Sequence, residues 1–179
     1  KSASSSSGGG GTEMPRVYVA IGSNLEPERH VRAAVQALRA RFGHLAASPV
    51  YACPPVGFEG PEFLNLVVAF DTDEPPRSLV RALKAIEETQ GRRRDAPRFA
   101  DRTLDLDLLM YGDEVLEEEG LRVPRPEILE HAHVLGPLCD LAGDRVHPCL
   151  GRTFRAVWAE LDQTQRGLRR AVLEIDTQD

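Results

Sequence analysis

The sequence predicts one mixed α/β (α+β) sandwich of βαββαβ order, and three observations carry that prediction. Two segments, 26–42 and 75–90, repeat their apolar residues at helical spacing. Short β-branched or alternating runs stand around them as one strand, a helix, two strands, a helix and a further strand. A chain of 179 residues with 41% hydrophobic side chains is long enough to bury one ordinary core.

The Ser/Gly-rich stretch 1–13 reads as a flexible linker or remnant and is set outside the fold, which leaves a single domain over 14–179. The run 16–22 ends at Gly22 and delivers the chain into Ser23-Asn24-Leu25, as a first strand would. Val31, Ala34, Val35, Leu38 and Phe42 then mark one helix face, closed by Gly43. A strand is expected over 46–51, followed by a shaped loop, 52–62, rich in Pro and Gly. The run 63–70 reads as a central strand whose polar residue Asn65 shares a face with Phe63 and Val67. A second helix over 75–90 has Pro near its start, apolar Leu79, Val80, Leu83 and Ile86, and Gly91 as its stop. The strand 102–110 completes a βαββαβ sequence, the plan of ferredoxin-like sandwiches. That plan predicts one antiparallel sheet with both helices on one face and the other face or a rim left for a site. A hairpin near 111–123, a helix over 126–141 and a last helix from Thr153 form a C-terminal extension.

The chemistry concentrates on the last core strand. Asp105 and Asp107 stand at i and i+2 in an otherwise apolar run, so both point to one face. Adjacent carboxylates on a buried strand repel each other and lose hydration, which is costly unless a cation sits between them. Mg²⁺ suits such a pair, because it takes oxygen ligands and keeps waters and substrate phosphates in its shell. Just upstream, 92–102 sets five Arg against two Asp in a loop-like stretch. An isolated Asp-x-Asp pair usually holds no metal and an Arg run is usually a solvated face. Together, on a loop leading into a strand, they point to phosphoryl chemistry on a polyphosphate. The 52–62 loop is suited to shape a pocket for a flat ring, with Phe63 as a stacking surface and Asn65 supplying donor and acceptor to a heterocycle edge.

Composition narrows the partners. A net charge of −6 argues against nucleic acid, since positive charge is confined to one loop, and favours a small anionic ligand. The three cysteines, 53, 139 and 149, are odd in number and show no C-x-x-C spacing, which suggests a reducing cytoplasm rather than a disulfide framework. No run approaches the roughly 18 apolar residues of a membrane span, and no secretory signal is legible.

Val-Ala-Ile-Gly-Ser-Asn-Leu at 19–25, Tyr-Ala-Cys-Pro-Pro-Val-Gly at 51–57, Phe-Leu-Asn at 63–65 and Arg-Thr-Leu-Asp-Leu-Asp from Arg102 are four ordered motifs, and over about 15–160 the chain resembles the 6-hydroxymethyl-7,8-dihydropterin pyrophosphokinases of folate biosynthesis. The resemblance implies a ferredoxin-like α/β sandwich that moves the β,γ-diphosphate of ATP onto the pterin hydroxymethyl group and releases AMP. It implies two Mg²⁺ ions on Asp105 and Asp107, and Arg92 and Arg102 beside them as catalytic cations. Glu87, Arg94, Phe99, Arg102, Arg125 and His131 stand at positions that contact or close over ATP. Cys53, Pro54, Val56, Phe63, Asn65 and His133 stand at positions of the pterin pocket. The 91–101 loop would act as a lid that excludes water. The expected enzyme is a cytoplasmic monomer binding ATP and the pterin, with no nucleic acid or membrane partner and a possible fusion to or neighbour in the same pathway.

The chain departs from the family pattern at three places: Arg125 replaces a common His, His131 a phosphate-binding Arg, and His133 a stacking Phe. The expected result is an active enzyme with altered affinities. A zinc site from His131, His133 and Cys139 is the sharper alternative, although the spacing matches no common motif. Two other functions share part of this pattern. Polymerase-type nucleotidyl transfer would need Gly22-Ser23 close to the acid pair, but about eighty residues separate them. A ferredoxin-like binding module would need neither aligned acids nor an Arg loop.

Overall fold

The protein is described by a computed structural model over residues 14–55, 57–91, 103–161 and 168–175. Strand β1, Arg16–Ser23, alternates residues between two buried faces and runs into helix α1, Pro27–Phe42. Pro27 takes the first turn, where a missing N–H costs nothing, and Val31, Ala34, Val35 and Leu38 form the buried stripe. Gly43, at φ 83°, ends the helix in a conformation that a side chain disfavours. The expected strand over 46–51 is in fact two pieces, β2 at Ala46–Ala47 and β3 at Tyr51–Cys53. Pro49 has no N–H for a ladder, and Ser48 takes over locally. Its N–H donates to Val67 O at 2.9 Å and its Oγ accepts from Val67 N at 2.9 Å.

Strand β4, Phe63–Asp71, is the centre of the sheet. Helix α2, Pro76–Thr89, follows, and then β5, Asp105–Tyr111. Strands β6, Leu116–Glu118, and β7, Leu121–Val123, form the expected hairpin. The expected helix over 126–141 is broken: α3 covers Glu127–Glu130 and α4 Ala132–Ala142, with His131 extended between them at φ −127° and ψ 123°. The His131 carbonyl accepts from Val134 N and Leu135 N at 3.1 and 3.0 Å, so the break itself starts α4. Helix α5, Phe154–Glu160, is capped by Thr153, whose side chain accepts from Ala156 N at 3.1 Å. A two-residue strand, β8 at Arg169–Arg170, was not foreseen.

The sheet runs β5-β1-β4-β3-β8, with β2 also on β4, and its paired strands are antiparallel. The ferredoxin-like expectation holds for β1, β3, β4, β5 and the two long helices. The second face, which that plan leaves open, is covered. Val19, Ile21, Leu66, Val68, Phe70, Leu106 and Leu108 pack toward α1 and α2, whereas Tyr18, Val67, Ala69, Leu109 and Met110 pack toward α3, α4 and α5. Only the sheet's rim is left for chemistry. Tyr51 pins β8 and α4 to the far edge, its hydroxyl donating to Asp140 while Arg170 lies 3.8 Å from the same carboxylate.

One irregularity interrupts the pairing of the acid strand. Tyr18 pairs with Met110 and Val19 with Leu108, so Leu109 is an extra residue in β5. Beyond that bulge Leu106 and Leu108 turn to α1 and α2, and Asp105 and Asp107 turn the other way.

Candidate active site

Asp105, Gly22 and Asn65 stand opposite one another across three neighbouring strands, and Tyr51 follows on the fourth. Cross-strand partners share a face, so the acid and the amide point the same way with only a glycine between them. A Cβ on Gly22 would lie 3.0 Å from Asn65 Oδ1, which leaves the close approach to glycine. Asn65 is buried, and its Nδ2 donates to Cys53 Sγ at 2.9 Å. Burial, with the Glu62 charge adding to it, pushes the Cys53 thiol up to about 11, so it stays protonated at neutral pH.

A pocket of about 200 Å³ opens where β5 meets α2 and the β6–β7 hairpin, and Asp105, Asp107, Glu87 and Arg125 all line it. Strand β5 is a sheet edge, which leaves outward backbone groups to be satisfied. Glu87 meets one of them, accepting from the Leu106 N–H at 2.7 Å between the two acids. The buried Glu87 therefore holds the strand that presents them. Arg125 brings a cation to the same wall, 3.4 Å from Asp107 Oδ1 and 3.2 Å from Glu127 Oε2. Lys84 and Arg122 also line the pocket. Neither was singled out by the sequence, because an isolated exposed cation carries no pattern; only the fold brings them to the acid pair.

His131 and His133 stack, with ring centroids 5.1 Å apart and planes 19° from parallel. The turn of extended backbone at His131 makes that pairing possible. Burial first, and then the charge of His131, hold His133 down to about 4, against a smaller upward pull from Asp105. His133 is therefore a neutral, flat ring on the acid side of the site, and His131 is its stacking partner.

The Gly-Ser-Asn-Leu motif joins the loops around this rim. Ser23 Oγ donates to Thr103 O at 2.5 Å, tying the end of β1 to the entry of β5. Asn24 Nδ2 donates to Pro61 O at 3.3 Å, tying the same turn to the Pro/Gly-rich loop. Phe63 begins β4 with Phe58 edge-on to it at 6.2 Å and 85°, so the loop supplies a second ring that the sequence did not single out. Pro54 is exposed beside Cys53. Val56, Arg92, Arg94, Phe99 and Arg102, with the loop 92–102, lie outside the described residues. Among the described residues no three His, Cys, Asp or Glu side chains group to hold a metal ion. A cation at the acid pair would take two protein carboxylates and leave the rest of its shell to water or phosphate oxygens.

Known proteins share both the sequence and the fold. The chain is 46% identical over 135 residues to the 2-amino-4-hydroxy-6-hydroxymethyldihydropteridine pyrophosphokinase of Pseudomonas aeruginosa, covering 73% of this chain and 83% of that protein. It is 38% identical over 150 residues to the enzyme of the same name from Bacillus subtilis, covering 82% and 85%. The folate synthesis bifunctional protein of Pisum sativum is 36% identical over 138 residues, and there the match covers 27% of the longer chain. In structure, the Plasmodium falciparum HPPK-DHPS crystallised with pteroate superposes with a TM-score of 0.66 over 82% of this chain at 13% identity, which speaks to the fold alone. The match spans 44% of that solved chain. With residues 18–143 matched by the sequence profile of the family, the chain belongs to the 7,8-dihydro-6-hydroxymethylpterin-pyrophosphokinases.

Proposed function

We propose that this transferase moves the β,γ-diphosphate of ATP onto the hydroxymethyl group of 6-hydroxymethyl-7,8-dihydropterin, releasing AMP, with Mg²⁺ held at Asp105 and Asp107. Pyrophosphoryl transfer from ATP to the hydroxymethyldihydropterin in folate biosynthesis is the activity of the family. The observation that supports this site for it is the acid pair, on one face and lining a pocket with Arg125, with Asn65 in the same cross-strand row as Asp105. The donor set fits Mg²⁺: two hard carboxylate oxygens side by side, with the Asp107 side chain 33% exposed. Held by Asp105 and Asp107, Mg²⁺ would supply positive charge against the negative charge of the phosphate oxygens, while the hydroxyl oxygen bonds to the β-phosphorus and the α,β-bridging oxygen leaves with AMP.

The chain's own residues account for positioning. Glu87 fixes the β5 backbone, and Arg125, Lys84 and Arg122 face the nucleotide. Asn65, locked by Cys53, offers Oδ1 to a ring N–H, while Phe63 and the neutral His133 provide flat surfaces for the pterin. His131 stacks on His133 and stands where the family motif has a phosphate contact. Arg92, Arg94, Phe99 and Arg102 are assigned to phosphate contact and closure, and Pro54 and Val56 to the pterin loop, on the family motifs. The same reading has residues 14–179 as one domain working as a cytoplasmic monomer, with 1–13 as a linker. No helix among the described residues is long and apolar enough to cross a membrane.

The test is AMP formation from ATP and Mg²⁺ with and without the pterin alcohol. Release of AMP that depends on the pterin and is lost on chelating the metal is the expected outcome. A folded protein that binds ATP yet releases no AMP with pterin would overturn the reading.

A further inference from the structure

Arg125 lies between two carboxylates, on the chain segment where this sequence leaves the family pattern. Its Nη2 is 3.4 Å from Asp107 Oδ1 and its Nε 3.2 Å from Glu127 Oε2. Its backbone N–H donates to Leu109 O at 2.9 Å, which anchors the residue alongside the acid strand. The three side chains are each about one-third exposed, at 35%, 33% and 32%, so the cluster is screened less than a surface pair. Arg125 Nε and Glu127 Oε2 are buried and lack a hydrogen-bond partner of good geometry despite their proximity. The guanidinium is thus held on its two acids by charge more than by directional bonds, and such a group can turn without breaking a rigid fork.

The electrostatics give that arrangement a purpose. Asp105 and Asp107 side by side repel each other, and a cation on Asp107 relieves the repulsion. A divalent ion and a guanidinium cannot both claim the same carboxylate oxygens at full strength. The pocket that Arg125 lines is also the one in which a nucleotide's phosphates would lie beside the acid pair.

We infer that Arg125 is a resident counter-ion of Asp107, displaced by the divalent metal and passed to the phosphate oxygens of the incoming nucleotide. The inference rests on the site proposed above. It makes metal and nucleotide load together: the ion alone must compete with Arg125, whereas an ion that arrives with ATP brings the anion that takes the guanidinium over. Arg125 on this account is a positioning residue, and its effect on the two ligands has opposite sign.

Mn²⁺ titrated into the full chain without nucleotide reads one arm, and Mg²⁺ with the non-transferable α,β-methylene ATP reads the other. Arg125→Gln is expected to bind Mn²⁺ alone about threefold to tenfold more tightly and the Mg²⁺-nucleotide analogue more weakly by a similar factor. Arg125→His, a partly charged ring, is expected to fall between. A merely structural role would weaken both ligands. Unchanged or weaker Mn²⁺ binding in both variants, or no Mn²⁺ binding by any form of the protein at millimolar ion, would overturn the inference. If wild type binds Mn²⁺ and Arg125→Gln tightens it, yet no form binds the nucleotide analogue, the counter-ion role stands on Asp107 and the proposed function fails.

Discussion

The strand-built half of the site and the half built from residues 123–133 are made by different means. Asp105, Gly22, Asn65 and Tyr51 are placed by register across four paired strands, each fixed by backbone hydrogen bonds on both sides or, at the β5 edge, by Glu87. Arg125, His131 and His133 are placed by a two-strand hairpin, a four-residue helix and one extended residue. The first half carries the family's motifs unchanged; the three departures all fall in the second. Side chains held by sheet register cannot be exchanged without moving their neighbours. Those on short irregular segments can change charge and shape while the backbone keeps its course.

Removing either acid tests the first half hardest. Asp105→Ala and Asp107→Ala are each expected to lower turnover by about 10³-fold or more while keeping the fold, because a half-buried acid at the sheet's rim contributes to the site and little to the apolar core. Steady-state AMP release and thermal unfolding read the two together, and substantial activity in either variant would remove the metal argument.

The second half is best broken with acid. The folded-state value of His133, about 4, lies below the roughly 6.5 of an unfolded histidine, so the folded state binds fewer protons between them. The stability tied to the neutral ring is fully present above about pH 6.5 and is lost as pH falls toward 4, by at most about 3 kcal/mol. His147, also lowered by burial, adds to the same trend, so the decisive quantity is a difference. Denaturant unfolding of wild type and His133→Phe between pH 4.5 and 7.5 is expected to show the variant gaining on wild type as pH falls. Parallel curves would mean that His133 titrates normally.

A smaller effect sharpens the comparison from the strand side. Gly22→Ala places a methyl 3.0 Å from Asn65 Oδ1, so the amide must shift by a few tenths of an ångström. The pterin KM is expected to rise about threefold to tenfold with the ATP KM little changed, on the order of 1 kcal/mol of ring recognition. An unchanged pterin KM would detach Asn65 from the ring.

Much of the strand-built half was legible in advance. The alternation of apolar residues around Asp105 and Asp107 gives their common face, and the spacing of Leu79, Leu83 and Ile86 gives α2. The role of Ser23 and Asn24 was visible only as a motif, since bonds to Thr103 O and Pro61 O span eighty and thirty-seven residues. The break at His131 was hidden because Ile128, Ala132, Leu135 and Leu138 are all buried, so the apolar pattern runs on through a change of backbone. The strand β8 was hidden for the opposite reason. Two arginines at a sheet edge show no alternation, and what holds them is the pairing with β3, the Ala171 N–H to Val50 O at 2.8 Å, Glu62 on Arg169 and Asp140 on Arg170.

The spare residue at Leu109 makes the acid strand unequal in its tolerance of length. Loss of one residue at 108 or 109 would close β5 into regular pairing with β1, with Asp107 still opposite Ala20 and Asp105 still opposite Gly22. Gain of one residue, without a second bulge to absorb it, would rotate both carboxylates into the apolar layer under α1 and α2. Shortening of the strand at these two positions therefore costs a buried leucine but keeps the acids on their face, whereas lengthening turns them away from the site.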